Sequence, residues 1–216
     1  MHVMAANSLT AEVVLRWLRN GAATFEAHKD ELTQLDAAIG DADHGANMAR
    51  GFTAVKGKLG ELQGKDIGAV FKAVAMTLIS TVGGASGPLY GTFFLQAAPG
   101  AAGKAELTQQ ELYSVFGSGL QGLMNRGKAA VGEKTMVDAL VPAIDALKPA
   151  GNDSLAEALD RAVAAAKKGA DSTVPLVAKK GRASYLGERS AGHLDPGAAS
   201  SVLLLEALQK AEGASS

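Results

Sequence analysis

The chain has no cysteine among its 216 residues. That excludes a disulfide framework and any thiolate-held metal. It fits a reducing compartment, and a cytoplasmic location is expected. An excess of either charge is also missing, with 21 Lys+Arg against 22 Asp+Glu. Nucleic acid and anionic membrane are therefore not expected as partners. No apolar run is long enough to cross a bilayer. The stretch Met1-His2-Val3-Met4-Ala5-Ala6 lacks the positive charge and long apolar run of a signal peptide, so none is expected. Strand signals are scarce. The valine-rich pieces Ala11–Val14 and Val174–Val177 are flanked by helix formers, and no repeat of fixed period is present.

What is present is helical period. The chain is 47% hydrophobic, enough for a sizeable core, and its length suits one domain or at most two small ones. Ser8 or Thr10 can cap a first helix bearing Val13, Val14, Trp17, Leu18 and Phe25, with Asn20-Gly21 expected to loosen its middle. A second pattern, from Lys29 to Ala38, brings Asp36 to its end. Further helices are predicted over Met48–Leu59, from Asp66 to about Val82, from Pro88 to Ala98 and from Thr108 to about Gly127. Three more run from Thr135 or Met136 to Leu147, from Asp153 or Ser154 onward, and from Asp195-Pro196 to near the C-terminus. The class is all-α, with about eight or nine helices. Short connections predict antiparallel neighbours.

Four stretches carry chemistry. The first runs from Asp36 to Asn47 and places Asp36, Asp41 and Asp43 on a turn between two helices. Clustered carboxylates repel unless a cation lies among them, and Mg²⁺ takes such ligands together with waters and phosphates. Asp is also a common cap and turn residue, so on this stretch alone both readings stand. An EF-hand fits poorly, because with Asp41 at loop position 1 the required Gly and Glu are replaced by Ala46 and Phe52.

The second stretch, Ser80–Thr92, joins two apolar helices through small residues. It offers helix N–H groups and the hydroxyls of Ser80 and Ser86 to an anion, or else lets two helices cross closely. It lacks the Gly-Lys-Ser/Thr ending of a Walker A loop. In the third, Thr135 and Asp138 form a capping pattern. Met136 there is either core or a packing surface for a flat ring. The fourth, Gly181–Gly197, is long, irregular and glycine-rich, and it reads as an ordered lid. Its Arg182 and Arg189 can neutralise phosphate charge. His44 and His193 read as positioning residues rather than nucleophiles, and His2 and His28 as surface residues.

Taken together and in this order, the four stretches resemble the nucleotide-binding L subunit family of dihydroxyacetone kinases. The motifs that carry the resemblance are Gly40–Asn47, Thr81–Thr92, Gly132–Ala139 and Gly181–Ser190 through Asp195-Pro196-Gly197. They span essentially the whole chain. Ala42 stands where many relatives have Gly.

The resemblance implies one domain over residues 1–216, built as a barrel of about eight antiparallel helices with the nucleotide at one end. Asp36, Asp41 and Asp43 would hold two Mg²⁺ ions. His44, Gly45, Ala46, Asn47, Ala85, Ser86, Gly127, Met136, Arg182, Asp195, Pro196 and Gly197 would surround ADP or ATP. Arg182 is a candidate charge stabiliser, and no side chain of the chain would attack the substrate.

In the phosphoenolpyruvate/phosphotransferase-system branch, a phosphohistidine-type M subunit would rephosphorylate bound ADP. A K subunit would present dihydroxyacetone (glycerone) for phosphorylation. Two alternatives stand beside this: an ATP-dependent ketose kinase with exchanging nucleotide, and a regulatory subunit bound to a transcriptional regulator without turnover of its own.

Overall fold

The computed structural model describes residues 8–151 and 153–214. The N-terminal stretch Met1–Ala6, His2 included, lies outside the described residues. Nine α-helices occur among the described residues: α1 (Ala11–Ala27), α2 (Lys29–Ile39), α3 (His44–Lys58), α4 (Ile67–Thr81), α5 (Ser86–Ala97), α6 (Gln109–Gly127), α7 (Met136–Ala146), α8 (Leu155–Asp171) and α9 (Pro196–Gly213). Two 3-10 segments, Ala98–Ala101 and Arg182–Ser190, complete the helical content.

Local capping chemistry sets most helix starts. Asp66 accepts from Ala69 N at 3.0 Å. Thr108, Thr135 and Ser154 each form a reciprocal capping box with the acidic residue three positions on. Such caps satisfy N–H groups that have no partner within the helix. Ser154, rather than Asp153, is therefore the cap of α8.

Three expectations are corrected. The chain has a small ribbon: β1 (Ser8–Thr10) pairs antiparallel with β2 (Glu106–Thr108), Leu9 opposite Leu107. Three residues are too few to show a period of two. Both leucines are fully buried, and both threonines go on to cap the following helix. Second, α1 runs unbroken through Asn20-Gly21, because Gly21 is buried against Phe52 and Leu204. The chain bends at His28 instead. Third, α3 and α5 begin earlier than the apolar pattern does. Pro88 sits in the first turn of α5, where its missing N–H costs nothing.

The helices pack in a closed order. From α3 to α9 each packs against the next, α9 packs against α1, and α1 packs against α3. The second helix, α2, rests on α3 and α9. Inside, Trp17, Phe71, Phe93, Phe94 and Phe116 meet at centroid distances of 5.4–6.5 Å. Each such pair contributes roughly 0.5–1.5 kcal/mol beyond area burial. The Trp17 indole N–H donates to Leu204 O at 2.8 Å. A cavity of about 20 Å³ beside these rings has room for roughly one water. No helix among the described residues is long and apolar enough to cross a membrane.

Candidate functional site

The turn between α2 and α3 is built around Asp36. This aspartate lies in the last turn of α2 and is 8% exposed. Its Oδ2 accepts from Asp43 N at 2.8 Å and from His44 N at 3.1 Å. The carboxylate of one helix thus caps the next, which is why α3 starts at His44. Glycine is required at position 40, because a β-carbon there would lie 2.0 Å from Asp36 Oδ1. The fold brings one oxygen each of Asp36, Asp41 and Asp43 within 4.8 Å of one another. Asp36 is buried, Asp43 half-buried and Asp41 exposed. This is an all-oxygen donor set, the kind hard cations prefer. A positive group already stands beside it: Arg182 Nε is 2.9 Å from Asp41 Oδ2. Arg182 comes from the 3-10 segment, which packs on α2.

His44 ties three helices together. Its Nδ1 is 3.0 Å from the Ser86 hydroxyl at the start of α5. Its Nε2 is 2.9 Å from the Ser200 hydroxyl in α9. Tyr90 extends the network, with its hydroxyl 2.8 Å from Ser200 Oγ and 2.9 Å from Ser201 Oγ. Burial lowers the His44 pKa, against the raising effect of Asp36 and Asp43. Burial also pushes the Tyr90 phenol up to about 12. Both groups are therefore neutral near pH 7 and serve as hydrogen-bonding struts. A ring held at both nitrogens suits positioning rather than nucleophilic attack.

Asn47 lies one turn further along α3. Arg50 Nη2 donates to Asn47 Oδ1 at 2.6 Å, and Arg50 Nε donates to Thr81 O at 2.9 Å. The Asn47 amide packs under Gly83, where a β-carbon would meet Oδ1 at 2.9 Å. Gly45 abuts α2 at Lys29 O. Its neighbour Ala46 is half-buried, and Ala85 immediately precedes α5. The Ser80–Thr92 stretch serves close helix packing as well: β-carbons at Gly87 and Gly91 would strike Val82 O and Ile79 of α4. Ser80 does not join the site network through its hydroxyl, which donates back to Thr77 O.

Two further helix starts reach the same end. Asp195 Oδ2 accepts from Ala198 N at 2.7 Å and caps α9, with Pro196 in its first turn. Burial raises the Asp195 carboxyl to about 7. Gly197 lies beside Met136, the first residue of α7, where a β-carbon would be 3.5 Å from the methionine. Gly127 closes α6 against Leu89 of α5. The N-termini of α3, α5, α7 and α9 therefore converge around His44 and Gly197, beside the aspartates.

Of the remaining lid residues, Arg189 and His193 are exposed. His193 contributes through its backbone carbonyl, which accepts from Lys134 Nζ. Sequence reading passed over Lys134, Arg50, Tyr90 and Ser200 as site residues. Tyr90 and Lys134 lay in stretches singled out, but nothing in a serine or lysine signals burial.

Residues 38–210 match the model of the DAK2 domain. The chain is 47% identical over 203 residues to "PEP-dependent dihydroxyacetone kinase, ADP-binding subunit DhaL" of Escherichia coli, covering 93% of this chain and 97% of that one. It is 46% identical over 198 residues to "PEP-dependent dihydroxyacetone kinase 1, ADP-binding subunit DhaL" of Listeria innocua, covering 92% and 95%. The crystal structure of the dihydroxyacetone kinase from C. freundii in complex with AMP-PNP and Mg²⁺ superposes with a TM-score of 0.71 at 26% identity. That match covers 97% of this chain and 36% of the solved one, so the chain spans about a third of that kinase. On the extent of the family match and the identity of relatives aligned almost end to end, this chain belongs to the DAK2 domain family.

Proposed function

We propose that this chain is the ADP-bearing subunit of a phosphoenolpyruvate-dependent dihydroxyacetone kinase. One observation carries the reading: three carboxylates lie within 4.8 Å of one another at the end where four helix N-termini meet, with Arg182 above them. Oxygen ligands beside helix N-termini suit a metal–diphosphate, since the positive ends of helix dipoles favour phosphate and Mg²⁺ takes carboxylates together with phosphates. Asp36, Asp41 and Asp43 hold two Mg²⁺ ions in this reading, and those ions neutralise the phosphates when bound.

The chain's own residues do the rest. Asp36, fixed by two backbone N–H groups, orients the cluster. Ser86, Ala85 and the residues Gly45 to Asn47 present donors to the phosphates. Met136, Gly127 and the Asp195–Gly197 turn flank the nucleotide, and Arg182 offsets charge and closes the lid over it. Phosphoryl transfer requires mostly positioning and charge stabilisation, and no nucleophilic side chain is needed here. In this reading an M-type subunit would rephosphorylate the ADP held by these residues, and a K-type subunit would supply dihydroxyacetone. The near-complete alignment with separate ADP-binding subunits favours this reading over an ATP-exchanging kinase.

Asp41→Ala tests the reading. It should abolish Mg²⁺-dependent ADP binding and phosphoryl transfer while leaving the far-UV circular dichroism unchanged. Undiminished ADP binding in that variant would defeat the metal assignment.

A further inference from the structure

The third sequence stretch does more than cap α7. Lys134 is 1% exposed, although lysine is among the residues least often buried. Its backbone φ is +61°, uncommon for any residue but glycine. Its ammonium donates to Thr173 O at 2.6 Å and to His193 O. Those two carbonyls flank the whole excursion from Val174 to Gly192 that carries Arg182. The neck they form is also closed by Gly192 N donating to Val174 O at 2.7 Å and by Asp195 N donating to Thr173 Oγ1 at 3.0 Å. The residue beside Lys134 holds the excursion too, since Lys179 N donates to Glu133 O at 3.1 Å.

Burying an ammonium is costly unless its protons are well used. Here burial lowers the Lys134 pKa, while Asp195 and Asp138 favour its charge. An apolar side chain of similar length would fill the space without that cost. The charge therefore has its own role, which is to draw two carbonyls to one point.

We infer that Lys134 is a positioning residue whose ammonium pins the neck of the lid, and so sets how Arg182 lies over the carboxylates and how long ADP stays bound. The second half of this inference rests on the nucleotide reading above; the neck does not.

The test compares the full-length chain with Lys134→Met and Lys134→Arg. Without ligand, trypsin should cut Lys134→Met after Arg182 and Arg189 about tenfold faster or more, the scale of losing hydrogen bonds to a charged donor. Cleavage after Lys58, at the end of α3, should not change, which separates lid opening from general destabilisation. Lys134→Arg should restore slow lid cleavage. With Mg²⁺ and ADP, release of ADP on dilution should be faster in Lys134→Met by a similar factor.

Unchanged lid cleavage would overturn the clamp. Faster cleavage with unchanged ADP release would overturn the positioning role. An arginine variant as open as the methionine one would overturn the role of the charge. If the wild-type chain itself fails to bind ADP with Mg²⁺, the nucleotide reading falls, and lid cleavage still judges the neck. Should Lys134→Met not fold, hydrogen exchange on the wild type decides: the amides of Gly192 and Asp195 should be protected, and rapid exchange there would overturn the proposal.

Discussion

Ala42 stands between two of the clustered aspartates with φ at +60°. An L side chain in that region costs roughly 1–2 kcal/mol, part of which glycine returns through its larger entropy loss on folding. Ala42→Gly should therefore raise stability by about 0.5–1 kcal/mol, read from the urea midpoint at constant m-value. A lower midpoint would mean that the turn is not strained there.

Asp195 makes a second prediction at this scale. Its folded carboxyl titrates near 7, against a usual value of 3.8. Between those values the folded protein keeps a proton that the unfolded chain has released. Its contribution is thus complete below 3.8 and is lost progressively as pH rises from there to about 7. Asp195→Asn keeps an oxygen for Ala198 N and removes the titration. Wild-type stability relative to this variant should fall between about pH 4 and 7 and level off above, and parallel pH profiles would contradict it. The aspartates were legible because three acids on one turn require an explanation. Lys134 and Ser200 were not, because their partners lie far away in sequence: Thr173 and His193 for the lysine, His44 and Tyr90 for the serine.

At the scale of elements, start signals made of adjacent residues were readable. Thr108, Thr135 and Asp66 cap where their sequence places them. What escaped was set at a distance. The cap of α3 belongs to the preceding helix, Gly21 is held in α1 by α3 and α9, and the β1–β2 ribbon joins residues nearly a hundred positions apart. The Ser80–Thr92 stretch left two readings open, and the structure places close helix packing beside the site network. Gly87→Ala measures the first of these. Its β-carbon would lie 2.3 Å from Val82 O, so α5 must move away from α4. Overpacking of this kind costs roughly 1–3 kcal/mol, and a thermal melt within error of wild type would show that the two helices can separate freely.

Across the whole molecule, the helical class was legible from period alone. The closed order of packing was not, because periodicity names a buried face without naming its partner. That order has a consequence for function. It sets the starts of α3, α5, α7 and α9 at one end, against an aromatic interior, so the acidic turn and the lid meet where four helix dipoles present their positive ends.

In the proposed function, divalent ions on Asp36, Asp41 and Asp43 anchor a nucleoside diphosphate at that end. The most direct measurement equilibrates the purified chain with Mg²⁺ and ADP, passes it through gel filtration, denatures it and weighs what is released. A stoichiometric amount of ADP is expected with Mg²⁺ present, and none after chelation or in Asp36→Asn. ADP retained equally well without divalent ions would contradict the account.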